Sequence, residues 1–130
     1  MTHRIRVTGD GPLVAAAIHS GHEVRADIAS LLALPRDQRL REEDPYTDHW
    51  TAVGHTQIVG THSRFQVDLN RPRDKAVYRR PEDAWGLQVW HDEPSEEYVQ
   101  TLFTQADLAD LLERACDTLL NLARANKAES

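Results

Sequence analysis

Polar and apolar side chains alternate through "HRIRVT", residues 3–8, as they do in a strand with one buried face. The turn signal "GDGP" follows. "LVAAAI" then runs apolar without a break up to His19. Such a run predicts a strand buried on both faces, in the middle of a sheet. The alanines also suit a helix, but the flanking Gly-Pro and Ser-Gly favour the shorter strand. "VRADIASLLAL" places Val24, Ile28, Leu31, Leu32 and Leu34 near helical spacing, and Pro35 interrupts it. "RDQRLREEDPYTD" is charged and has no apolar stripe, which predicts a surface loop or short helix. "TQIVGTHSRFQVDLN" predicts two strands, or one bent at Gly60, with Val59, Phe65, Val67 and Leu69 turned to the core. "RPRDKAVYRRPEDAWG", rich in proline and charge, reads as an irregular excursion. In the last third, Leu108, Leu111, Leu112, Ala115, Leu119, Leu122 and Ala123 form one helical stripe, with Thr104 and Asp107 as an N-terminal capping pair. Strand, helix, strand, strand, helix predicts a single α/β domain over residues 1–130, a mixed sheet flanked by helices.

Composition narrows the class. A chain of 130 residues is one domain on length alone, with 40% hydrophobic and 28% charged residues, an ordinary balance for a water-soluble fold. The formal charge of −6 argues against a general nucleic-acid binder. Arg71, Arg73, Arg79 and Arg80 cluster locally, either as a solvated loop or as an anion site. The lone Cys116 lies among helical apolar positions, which predicts a buried, inert thiol. No apolar run approaches the roughly 18 residues a membrane span needs, and "MTHRIRVTGDG" lacks the apolar core of a signal peptide. The expectation is a cytoplasmic protein with no membrane partner.

Seven histidines are the compositional oddity. His19 and His22 stand three apart in "HSGHE", where a strand runs into a glycine turn. Ligands bind α/β sheets at the carboxyl ends of strands, and imidazole suits zinc, which at a catalytic site takes three protein ligands and one open position. Two ligands are present here, and Glu23 beside them is a candidate partner or base. The bland alternative is a polar turn. "EEDPYTDHW" adds Asp48, a candidate ligand or orienting carboxylate, whereas Glu42 and Glu43 read as solvated. In "HSRFQVDLNRPRD", Arg64, Asn70 and Arg71 form a candidate clamp for an anionic substrate, because a guanidinium matches a carboxylate with two parallel bonds. Asp68 alternates with Val67 and Leu69, so it is expected on the opposite side, paired with Arg64 or Arg71.

Taken in order, "IHSG", "DPYTD" and "SRFQVDLNRPRD" resemble the N-formylglutamate amidohydrolase family over roughly residues 12 to 91. The resemblance implies a fold related to the zinc carboxypeptidases. His19 and His22 would match the first and last positions of that group's metal pair, with His in place of Glu. Asn70 and Arg71 would match its carboxylate clamp. The implied chemistry is metal-assisted hydrolysis of the amide of a small, carboxylate-bearing N-acyl amino acid, with zinc or another divalent metal as cofactor. The family's domain is about twice this length, so the resemblance implies a short or partial version. His49 and His62 are then the local candidates for a third ligand, and His3, His55 and His91 read as surface residues. The alternative is a non-catalytic short homologue, a metal- or carboxylate-binding or oligomerising module. A half-domain leaves sheet edge and helix face uncovered, so self-association is expected, with a two-fold dimer as the default.

Overall fold

The computed structural model describes residues 4–7, 11–104, 117, 120, 121 and 124. Three short strands, β1 (Arg4–Val7), β2 (Val14–Ala17) and β3 (Thr56–Val59), form one sheet in the order β1-β3-β2. β1 pairs antiparallel with β3, Arg4 opposite Val59, and β2 pairs parallel with β3, Val14 opposite Thr56. The sheet is mixed, as the pattern predicts, and the fold is a small α/β one. The strand placed in the middle by its apolar run is instead at an edge among the described residues, and β3 is central. Ala16 is exposed. A run of methyl groups looks buried because it lacks polar atoms, yet it has little apolar surface to hide.

α1 (Ala26–Ala29) is a single turn, and α2 (Arg36–Glu42) starts directly after Pro35. Ile28, Leu32 and Leu34 are buried, as expected of that segment, but Leu31 is exposed. A 3-10 helix over Thr47–Val53 packs against β2 and β3. β3 stops at Val59, and beyond Gly60 only an isolated bridge, Glu23 with His62, continues the pairing. His62 and Arg64 therefore do not share a strand. Phe65 and Val67 are buried and Leu69 packs on the core, but from turns and not from a second strand.

The core lies largely outside the sheet. Ala76, Val77, Tyr78, Ala84, Val89 and Trp90 join Phe65, Val67, Ile28 and Leu34 in one cluster. The segment read as an irregular excursion is irregular, with 3-10 turns at Arg73–Lys75 and Pro81–Ala84, but it supplies much of the interior. Its backbone is satisfied without a ladder: Asp68 N–H donates to Ala76 O at 2.7 Å, and the Trp90 indole N–H to Tyr78 O.

α3 (Glu96–Thr104) closes the cluster with Val99 and Leu102. It begins well before Thr104, so Thr104 is not a cap. Ser95 takes that part, its hydroxyl accepting the Tyr98 N–H at 3.1 Å, with Glu96 and Glu97 in the first turn. The stripe from Leu108 to Ala123, Cys116 and the self-association expected of that helix lie outside the described residues. No helix among the described residues is long and apolar enough to cross a membrane.

Candidate active site

The parallel strands β2 and β3 end on the same side of the sheet. The chain leaving β2 supplies His19 and His22, and the chain leaving β3 supplies Arg64, Asp68 and Arg71. Gly21 makes the first turn possible. A Cβ there would stand 2.2 Å from the Thr61 carbonyl carbon and 2.6 Å from Gly60 O, so only glycine lets the two strand exits close together. Gly21→Ala should destabilise the fold by about 1–3 kcal/mol through overpacking against backbone. Urea unfolding checks this, and an unchanged midpoint would show that the turn can move aside.

Asp68 is the hub. It is 1% exposed. Its Oδ1 meets His19 Nε2 at 2.6 Å and accepts the Asn70 backbone N–H at 2.8 Å. Its Oδ2 accepts the Tyr78 hydroxyl and lies 3.4 Å from Arg64 Nη2 and 3.5 Å from Arg71 Nε. Burial pushes the Asp68 carboxyl up, but the bonds from His19, Tyr78 and Asn70 outweigh it and hold the group well below the usual carboxylate range. Tyr78 goes the other way, pushed up to about 12 by burial and by the bond to Asp68, against the opposing pull of Arg64. It therefore remains a donor at ordinary pH.

A carboxyl held low in the fold stabilises it above the unfolded-state pKa of about 4, and that stabilisation is lost as pH falls further, toward the folded value. Melting temperature should thus drop on acidification below about pH 4, and drop less steeply in Asp68→Asn. Parallel curves for the two proteins would contradict the assignment.

Because ionised Asp68 only accepts, His19 carries its proton on Nε2 and turns Nδ1 the other way. Nδ1 lies 3.7 Å from Asp44 Oδ2, beside a cavity of about 400 Å³ lined by Ala16, Ile18, His19, Asp44, Thr47 and Trp50 among others. The Asp44 N–H donates to the His19 carbonyl at 2.9 Å, which docks this corner on the end of β2. His22 Nδ1 meets Glu43 Oε1 at 3.1 Å. Glu43, expected to be solvated, is 4% exposed, and its Oε2 is buried with no hydrogen-bond partner.

The other expected residues are scattered. Asp48 lines a separate cavity with Arg6 and Gln57. Glu23 is exposed, its backbone tied to residues 61 and 63. Asn70 is exposed and contributes its backbone N–H. Arg64 is held inside the protein, donating to Tyr78 Oη and the Glu42 carbonyl and resting 5.0 Å from the Trp85 ring. Arg71 stacks 4.5 Å from the Tyr78 ring, donates to the Asp83 carbonyl, and borders a second cavity of about 380 Å³ with Lys75, Arg79 and Arg80. His49, His55 and His91 are exposed.

A family model described as N-formylglutamate amidohydrolase matches residues 11–118. The chain belongs to the N-formylglutamate amidohydrolase family. No curated protein matches it, and no solved structure does. Membership of the N-formylglutamate amidohydrolase family points to amidohydrolase-type chemistry and a small-molecule substrate.

The zinc that this family resemblance implies finds donors of the right chemistry but not a finished set. His19 is oriented as ligating histidines are, one ring nitrogen on a carboxylate and the other outward. The partnerless Glu43 Oε2 is a buried acceptor suited to a cation. Yet among the described residues no three His, Cys, Asp or Glu side chains converge as a metal site. Reading residues by type missed Asp44, Glu43 and Tyr78. Asp44 sits in the quoted "DPYTD" and was within reach of the sequence; for Tyr78 there was no local signal.

Proposed function

We propose that the protein is a metal-dependent hydrolase acting on the amide bond of a small N-acyl amino acid, of which N-formylglutamate is the example in the family's name. The supporting observation is His19, fixed by buried Asp68 through Nε2 with Nδ1 turned to a cavity. A divalent ion such as zinc would take His19 as its first ligand, with His22 and Asp44, the latter in the place expected of Asp48, as donors that binding would have to draw in, and it would supply polarisation of the carbonyl and an activated water. In the reaction, water adds to the carbonyl carbon and the C–N bond breaks. The nitrogen leaves as the ammonium, having taken up both protons of that water, and the acyl group leaves as a carboxylate.

The chain's own residues do the rest. Arg71 holds the substrate carboxylate, and Asn70 flanks it. Arg64 acts at one remove, holding Asp68 and Tyr78. Asp68 keeps the His19 ring in place. Glu23, exposed beside His22, is the candidate base.

The test is release of free amine from N-formylglutamate and other N-acyl amino acids by zinc-supplemented protein. Arg71→Ala should raise KM about 10–100-fold, the loss of a charge-assisted bond, with a smaller change in kcat. Binding without turnover, lost in Arg71→Ala, would favour the non-catalytic, carboxylate-binding alternative.

A further inference from the structure

An N-acyl amino acid has two ends, and the structure offers a separate place for each. Arg71 meets Asp68 through Oδ2 and borders the cavity of about 380 Å³, where Lys75, Arg79 and Arg80 stand among Asp74, Asp83 and Glu93. His19 meets Asp68 through Oδ1, and its other nitrogen faces away, toward Asp44 and the cavity of about 400 Å³. With the substrate carboxylate on Arg71 and the scissile bond at His19, the acyl end would enter the cavity of about 400 Å³ beside His19.

Its lining is unlike a site for formyl, a group of one carbon. A cavity of this size falls in the range that takes whole small ligands. Ala15, Ala16, Ala17 and Ile18 line one side of it, and Trp50, 74% exposed, stands beside it. Side chains alternate along a strand, and the methyl of exposed Ala16 leaves room there that a larger side chain would occupy. Among the described residues lining it there is no cation, and Asp44 is its one acid. An anionic acyl group would meet Asp44 without compensation.

We infer that this cavity is an acyl pocket, and that the protein takes N-acyl amino acids with an uncharged apolar acyl chain of several carbons in preference to N-formyl ones. This rests on the hydrolase reading above, in that the carboxylate is assigned to Arg71 and the reacting carbonyl to His19. Trp50 covers the chain, and Ala16 sets how much of it fits.

The test holds the amino acid constant and varies the acyl group. N-formyl-, N-acetyl- and N-hexanoyl-glutamate are compared on the full chain with zinc, by calorimetric affinity and by kcat/KM. Each buried methylene favours binding by about fourfold when fully covered, so N-hexanoyl-glutamate should bind at least about tenfold more tightly than N-formyl-glutamate. Ala16→Leu, at an exposed position, should narrow that ratio by filling the pocket, and Trp50→Ala should narrow it by uncovering the chain. Circular dichroism confirms that both variants fold. Equal or weaker binding of the hexanoyl compound, or a ratio that neither variant changes, overturns the acyl pocket. If affinity follows chain length but no compound is turned over, the pocket stands and the hydrolase reading fails. If N-formylglutamate is hydrolysed best, the hydrolase reading stands and the pocket fails.

Discussion

Asp68→Ala should lower the stability of the fold by about 3–5 kcal/mol, the cost of removing one partner from a buried charge network. The size follows from what is left behind. His19 Nε2 and the Tyr78 hydroxyl, both largely buried, lose their acceptor together, and two guanidinium groups lose the charge between them. A domain of this kind has a total stability of about 5–15 kcal/mol, so the variant should sit near the edge of folding. Asp68→Asn keeps the shape and one acceptor oxygen but sets an amide donor against donors, and its loss should be intermediate. Urea unfolding with unchanged slope is the measurement. A loss below about 1 kcal/mol for alanine would mean that water replaces the carboxylate and that Asp68 is not the hub.

His19→Ala should reduce hydrolysis at least about a hundredfold and reduce bound zinc with it, the scale on which even the residues supporting a metal ligand matter. The imidazole joins the two halves of the site. Its Nε2 is fixed on Asp68, and its Nδ1 is the atom presented to the cavity beside Asp44. Zinc per chain, measured after purification without chelator, separates this from a folding defect, and the urea midpoint should fall by less than in Asp68→Ala. Unchanged metal content in a folded His19→Ala protein would remove His19 from the ligand set. Loss of metal from Asp44→Ala but not from Asp48→Ala would place the acid as the geometry suggests.

The legible parts of this protein are local ones. Alternation at residues 3–8 and the apolar run before His19 mark real strands, because side-chain period is set by the backbone of the segment itself. The glycine of "HSG" reports a close backbone approach, and the Cβ clash at Gly21 supplies the reason. The apolar stripe further on drew the predicted helix start to Thr104, whereas the described helix is capped at Ser95. Where no period exists, as in residues 71–86, pattern reading sees only a charged loop. Burial of Ala76, Val77 and Tyr78 there comes from irregular backbone satisfied one bond at a time.

By itself the sequence determined the strands of a mixed sheet, the two strand exits that carry the candidate site, and the family, through ordered motifs that are contiguous in the chain. The tertiary structure alone decided which side chains distant in the chain meet. Asp48 shares its cavity with Thr51, three residues on, because side chains three apart eclipse in a 3-10 helix. That leaves Asp44, just before the helix, beside His19. The edge position of β2 depends on β3 pairing on both sides. The buried state of Glu43 and the meeting of His19 and Tyr78 on Asp68 bring together residues 10 to 49 positions apart, whereas the pairing of Asp68 with Arg64 and Arg71, four and three residues away, was already legible in the sequence. Such contacts are fixed by packing across the whole fold, and no stretch of the chain carries them on its own.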